Sequence, residues 1–99
     1  MRYLTFDFGE AAEGLTTIEA LASTAAADHA AVMAEVGQVM DWAWANFPRT
    51  HGSTDDGADW DHDLQVVIED GHWHAVALTI TASAPFLEDF LAEFGRPDD

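Results

Sequence analysis

DWDHDLQVVIEDGHWH, Asp59–His74, carries three of the chain's five histidines among closely spaced acids. It alternates with the period of a strand, breaks at Glu69-Asp70-Gly71, and alternates again. Over residues 60–68, Trp60, His62, Leu64, Val66 and Ile68 share one face, and Asp61, Asp63, Gln65 and Val67 share the other. Over residues 72–81, His72, His74, Val76, Leu78 and Ile80 oppose Trp73, Ala75, Ala77, Thr79 and Thr81. A two-residue Asp70-Gly71 turn would set the apolar face of one strand against the acidic face of the other. A three-residue loop, Glu69-Asp70-Gly71 with Gly71 left-handed, pairs Ile68 with His72, Val66 with His74, Leu64 with Val76, His62 with Leu78 and Trp60 with Ile80. A one-residue slip turns every side chain of a strand over, so burial selects the second register.

That register bears on the histidines. It places them and the aspartates on opposite faces. His62 lies ~13 Å along the strand from the position paired with His74, too far to share an ion. His72 and His74 share a face about 7 Å apart. As a metal pair they need a third ligand, which His51 or His29 would supply. The simpler expectation is a pair of histidines at the edge of the core. Asp59, Asp61 and Asp63 have the spacing that opens a calcium loop, but Leu64 stands where that loop needs glycine and Asp70 where it needs glutamate.

Outward from the hairpin, residues 2–8 alternate as a half-buried strand, with Leu4, Phe6 and Phe8 inward. After GEAAEG, residues 15–47 recur at helical spacing: Ile18, Leu21, Ala22, Ala25, His29, Val32, Met33, Val36, Met40, Trp44 and Phe47. Thr16 and Glu19 have capping-box spacing, and Pro48 ends the run near Asn46. An unbroken helix of about thirty residues would reach ~45 Å, so a bend is expected near Ser23-Thr24. Residues 25–46 carry the strongest helical pattern. Residues 48–59 read as a flexible acidic and glycine-containing loop. A closing helix follows over 83–95, with Ser83 as cap, Pro85 in the first turn and Gly95 as stop. Residues 96–99 read as an exposed tail. Trp42 falls off the helical stripe, and Trp73 faces away from the expected core.

The predicted fold is α+β: a single βαββα domain over 1–99. Its three-stranded, mainly antiparallel sheet carries a long helix and a C-terminal helix on one face. The N-terminal strand is expected beside residues 72–81.

Nineteen acids against three arginines and no lysine give a formal charge of −16. Direct binding to nucleic acid or anionic lipid is disfavoured, because those surfaces require cations. No cysteine is present, which removes thiolate nucleophiles, thiolate metal sites and disulfides. No leader or spanning segment is evident, so a cytoplasmic location is expected. No arrangement of serine, histidine or carboxylates supports a reaction class, so neither an enzyme nor a cofactor is expected.

Size, charge and element order resemble, as a class only, the small acidic inhibitors and nucleic-acid mimics of bacteria and phages. Three functional readings follow. The first is an acidic interaction module of the inhibitor, immunity or nucleic-acid-mimic type. It would dock a basic protein partner through Asp59, Asp61, Asp63, Glu69, Asp70 and Trp73. The second is a metal or small-ligand protein using His72 and His74. The third is an acidic accessory domain whose charge serves solubility or a salt-rich interior. A homodimer through the Ala75–Ala77–Trp73 face is a further expectation.

Overall fold

The computed structural model describes residues 1–12 and 14–95. It contains β1 (Thr5–Glu10), β2 (Leu15–Ala25), α1 (His29–Asn46), β3 (Trp60–Glu69), β4 (Trp73–Ser83) and α2 (Ala84–Phe94). The fold is α+β: a four-stranded antiparallel sheet in the order β1-β2-β4-β3, with both helices against one face. The tail expected at 96–99 lies outside the described residues. No helix among the described residues is long and apolar enough to cross a membrane.

The largest correction is the fourth strand. Residues 15–25, expected to be the first half of a long helix, form β2. Its alternate residues Ile18 and Ala20 are buried, so a period of two was present beneath the apparent helical one. Helix-forming Leu, Ala and Glu are overridden here by pairing on both edges, with β1 along Thr16–Leu21 and with β4 along the whole strand. Thr16 and Glu19 therefore sit on a strand and cap nothing. Of GEAAEG, read as a plain break, Gly9 and Glu10 still belong to β1, paired with Thr17 and Thr16 of β2. The expected pairing of β1 with residues 72–81 fails because β2 lies between them. The helix starts after a 3₁₀ turn at Ala26–Asp28 and ends at Asn46, as Pro48 requires.

A start at His29 resets the phase of α1. Its buried line is Val32, Val36, Val39 and Ala43. Trp42, expected off the stripe, packs against Phe47, Phe86, Phe90 and Phe94 at ring separations of 5.3–6.1 Å. Trp44, expected inward, is 42% exposed. The sheet adds Ile18, Ala20, Val76, Leu78, Ile80 and Ala82 to the core, and α2 adds Phe86 and Phe90. Ser83 caps α2 by accepting from the Phe86 amide, and Pro85 lies in its first turn. The Glu35 carboxylate of α1 accepts from the amides of Tyr3 and Leu4 at 3.0–3.1 Å, tying the start of the chain to the helix.

The β3–β4 hairpin keeps the expected faces but moves its register by two residues. Ile68 meets His74, Val66 meets Val76, Leu64 meets Leu78, His62 meets Ile80 and Trp60 meets Ala82. A shift of two leaves every side chain on its expected side. The cause is the turn. Asp70 and Gly71 both take left-handed conformations, φ 53° and 75°, and the His72 amide donates to the Glu69 carbonyl. His72 then stands as an extra residue before Glu69 pairs with Trp73.

The 48–59 segment, expected to be mobile, is fastened to β3. Thr50 O accepts from the amides of Asp59 and Trp60, and the Gly52 amide donates to Trp60 O. Trp60 is the fully buried anchor of this junction, with its Nε1 donating to Phe47 O at 3.0 Å.

Two outcomes follow for stability. Trp60→Ala removes a fully buried indole and should cost about 3–5 kcal/mol in urea unfolding. Glu35→Ala strands two amides and should cost about 1–2 kcal/mol by the same measurement.

Candidate functional site

The strand registers fix what the helix-free face of the sheet displays. Directly paired residues point the same way, so the face is built of rungs. One rung is Asp7, Glu19, Thr79 and Asp63. The next, toward the chain's first loop, is Gly9, Thr17, Thr81 and Asp61. In the other direction come Thr5, Leu21, Ala77 and Gln65, then Ser23, Ala75 and Val67, then Ala25, Trp73 and Glu69. The face is therefore divided into a half of acids and threonines and an apolar half. Small side chains at Ser23, Ala75 and Ala77 leave a shallow depression of about 320 Å³, walled by Thr5, Leu21, Gln65 and Val67.

Apolar exposure gathers on the same hairpin. Among the described residues, the exposed large hydrophobics are Met1, Trp44, Leu64, Val66, Val67, Ile68 and Trp73. All but the first two lie on β3 or β4. Leu64 and Val66 were expected in the core, yet they are 40% and 42% exposed. β3 is the last strand of the sheet, and Leu64, Val66 and Ile68 are exposed there while their β4 neighbours Leu78 and Val76 are buried. Among the described residues, the free edge of β3 is engaged only at the start, by the bridge between His51 and Trp60. Beyond that point, Leu64–Ile68 has no strand partner on this edge among the described residues, and no lysine, proline or bulge to blunt it.

The predicted partner residues divide accordingly. Asp61 and Asp63 lie at one end of the exposed stretch, and Glu69 and Asp70 at the other. Trp73 is exposed on the helix-free face beside Glu69, and its Nε1 donates to Ser23 Oγ. Asp59 is set apart. Its carboxylate accepts from Ser83 Oγ at 2.8 Å, and its carbonyl accepts from the Ser83 amide. It closes the sheet onto α2.

His72 and His74 take different surroundings. His72 is exposed in the turn. His74 packs its ring edge-on to His29 at 4.4 Å, and neither ring Nδ1 has a hydrogen-bond partner among the described residues. No third ligand joins this pair in a metal-sized cluster among the described residues.

A different set does converge: His51, Asp61 and His62. Asp61 and His62 point to opposite sheet faces, which is why the sequence reading separated them. His51 lies in the plane of the sheet, bridged to Trp60 at the free edge, and side chains from both faces reach it around that edge. His51 Nε2 is 2.9 Å from His62 Nδ1 and 3.5 Å from Asp61 Oδ1. Burial, then the neighbouring His51, holds His62 below the ordinary histidine pKa, against the opposing pull of Asp61 and Asp63. No local motif announces this cluster. It depends on the loop's return to β3, which spacing does not encode.

No family model, curated protein or solved structure matches the chain. The functional reading therefore rests on geometry and charge.

Asp7 and Glu19 are direct cross-strand neighbours, and like charges so placed repel. Glu19→Gln should stabilise the fold by about 0.2–1 kcal/mol at low ionic strength. Thermal unfolding in 1 M NaCl should show that gain greatly reduced.

Proposed function

We propose that the protein is an acidic interaction module that docks a basic protein partner along the free edge of β3 and the adjoining helix-free face. One observation carries the reading: an exposed apolar strand edge bounded at both ends by acids. Unpaired amides and carbonyls along Leu64–Ile68 offer main-chain pairing to an added strand. Val67 and Trp73 on one face, and Leu64, Val66 and Ile68 on the other, supply apolar contact. Asp61 and Asp63 at one end, with Glu69 and Asp70 at the other, select a segment with Lys or Arg flanking an apolar centre. Asp63 and Glu69 are ~20 Å apart along the strand, so the complementary segment has about five residues between its cations.

Charge also argues against self-pairing. An antiparallel pair of β3 strands centred on Val66 would set Asp63 of one copy against Glu69 of the other. With −16 on each chain, approach is repelled as well. A cationic partner converts the same field into steering, which raises association rates and falls with salt.

The test is capture from lysate of the native host, compared across variants. A basic protein should be retained at low salt and released by a NaCl gradient. Retention should fall in Asp63→Asn/Glu69→Gln and in Val66→Lys, which places a charge on the open edge. Equal capture by the charge-neutral variant overturns the electrostatic reading. A wild-type dimer in size-exclusion light scattering that Val66→Lys converts to monomer would assign the edge to self-association instead.

A further inference from the structure

We infer that His51, Asp61 and His62 form a binding site for one divalent transition-metal ion of the zinc type, at the start of the free edge of β3. The site does not rest on partner docking, and its ligands precede the apolar stretch of that strand.

The donor set is two imidazole nitrogens and one carboxylate oxygen. That combination suits zinc, cobalt or nickel, whereas magnesium and calcium favour all-oxygen shells. The three residues can each offer a ligand atom, with all three atoms within 4.8 Å of one another. His51 Nε2 lies 2.9 Å from His62 Nδ1 and 3.5 Å from Asp61 Oδ1. A tetrahedral ion with ligands at 2.0–2.1 Å sets its ligand atoms about 3.3 Å apart. The two separations from His51 bracket that value and the third is within 4.8 Å, so the three atoms are close enough to converge on one ion by side-chain adjustment.

The rings are held before any ion arrives. His51 packs against Trp44 at 4.7 Å and Trp60 at 4.5 Å, and its backbone is bridged to Trp60. His62 stacks on Trp60 at 5.7 Å with an interplanar angle of 29°. Asp61 Oδ1 accepts from the His62 amide at 2.9 Å, which orients the carboxylate. Such preorganisation by neighbours strengthens a metal site. The two ring nitrogens now face each other across a hydrogen bond, one donating and one accepting. When an ion binds, the donating ring takes its other tautomer, with that proton moved to its second nitrogen, and both facing lone pairs then turn to the ion. Side-chain exposures of 24% for His51 and 48% for Asp61 leave the fourth position open to water or an added ligand.

The test uses Co²⁺ titrated into the full, untagged, metal-free chain and followed by visible absorption. We expect saturation at one equivalent and displacement by one equivalent of Zn²⁺ but not by excess Mg²⁺. His62→Gln and Asp61→Asn should each weaken binding at least about tenfold, with far-ultraviolet circular dichroism unchanged. His72→Gln should leave it as in the wild type. His51→Gln is a third ligand variant, read only if its fold is intact. Absence of saturable binding overturns the site. So does binding that persists unchanged in both His62→Gln and Asp61→Asn, since the ion would then sit on carboxylates elsewhere.

Discussion

Both helices, the sheet edge and the returning loop close on Trp60. Its indole is fully buried, and a buried indole is stable only when its N–H has a partner. Phe47 O at the end of α1 supplies that partner. One ring face stacks on Phe86 of α2 at 5.5 Å. The backbone pairs with Ala82 of β4 and receives the returning loop through Thr50 and Gly52. His51 and His62 rest on the remaining ring surface. Helix end, sheet edge, loop and histidine cluster are thus fixed by one side chain. A residue that would be unremarkable as core sets the geometry of the candidate metal site.

Much of this was readable in the residues, for a physical reason in each case. β1 shows because Leu4, Phe6 and Phe8 alternate against polar neighbours. α1 and α2 end where Pro48 and Gly95 remove the option of continuing. The hairpin faces show because only an even register offset keeps apolar sides together. The misses have reasons as well. β2 is a centrally placed strand made of Ala, Thr and Leu, whose spacing satisfies two periods at once, and only its two neighbours decide between them. Missing β2 also misplaced β1 and extended the helix. The hairpin slipped by two because the left-handed pair was Asp70-Gly71, with His72 as the extra residue. The exposure of Asp63, Glu69 and Trp73 was readable from the strand alternation. His51 was not joined to Asp61 and His62, because loop return is a tertiary event.

The two outer strands are treated differently. β1 is six residues long and carries Asp7 on its outward-looking side. Short length and charge are common protections of a sheet margin. β3 is ten residues long, with its acids near the ends and none from Leu64 through Ile68. Lysine, the usual guard of such a margin, is absent from the whole chain. The acids leave the centre of β3 available and make its surroundings selective. This asymmetry, rather than the net charge alone, is what the proposed docking surface rests on.

The strand order has a kinetic consequence. Each half of the sheet is a local hairpin, β1 with β2 and β3 with β4, formed by neighbours in the chain. The seam between the halves joins residues 15–25 to residues 73–83 across the intervening helix and loop. Loop-closure entropy therefore falls mostly on one event, the zipping of β2 to β4. Before that event, Ala20, Val76, Leu78 and Ile80 have nothing to bury against across the seam. The most costly closure and the completion of the core thus coincide in one pairing. In a nascent chain, β2 can pair with β1 on one edge but must wait for β4 with its other edge open.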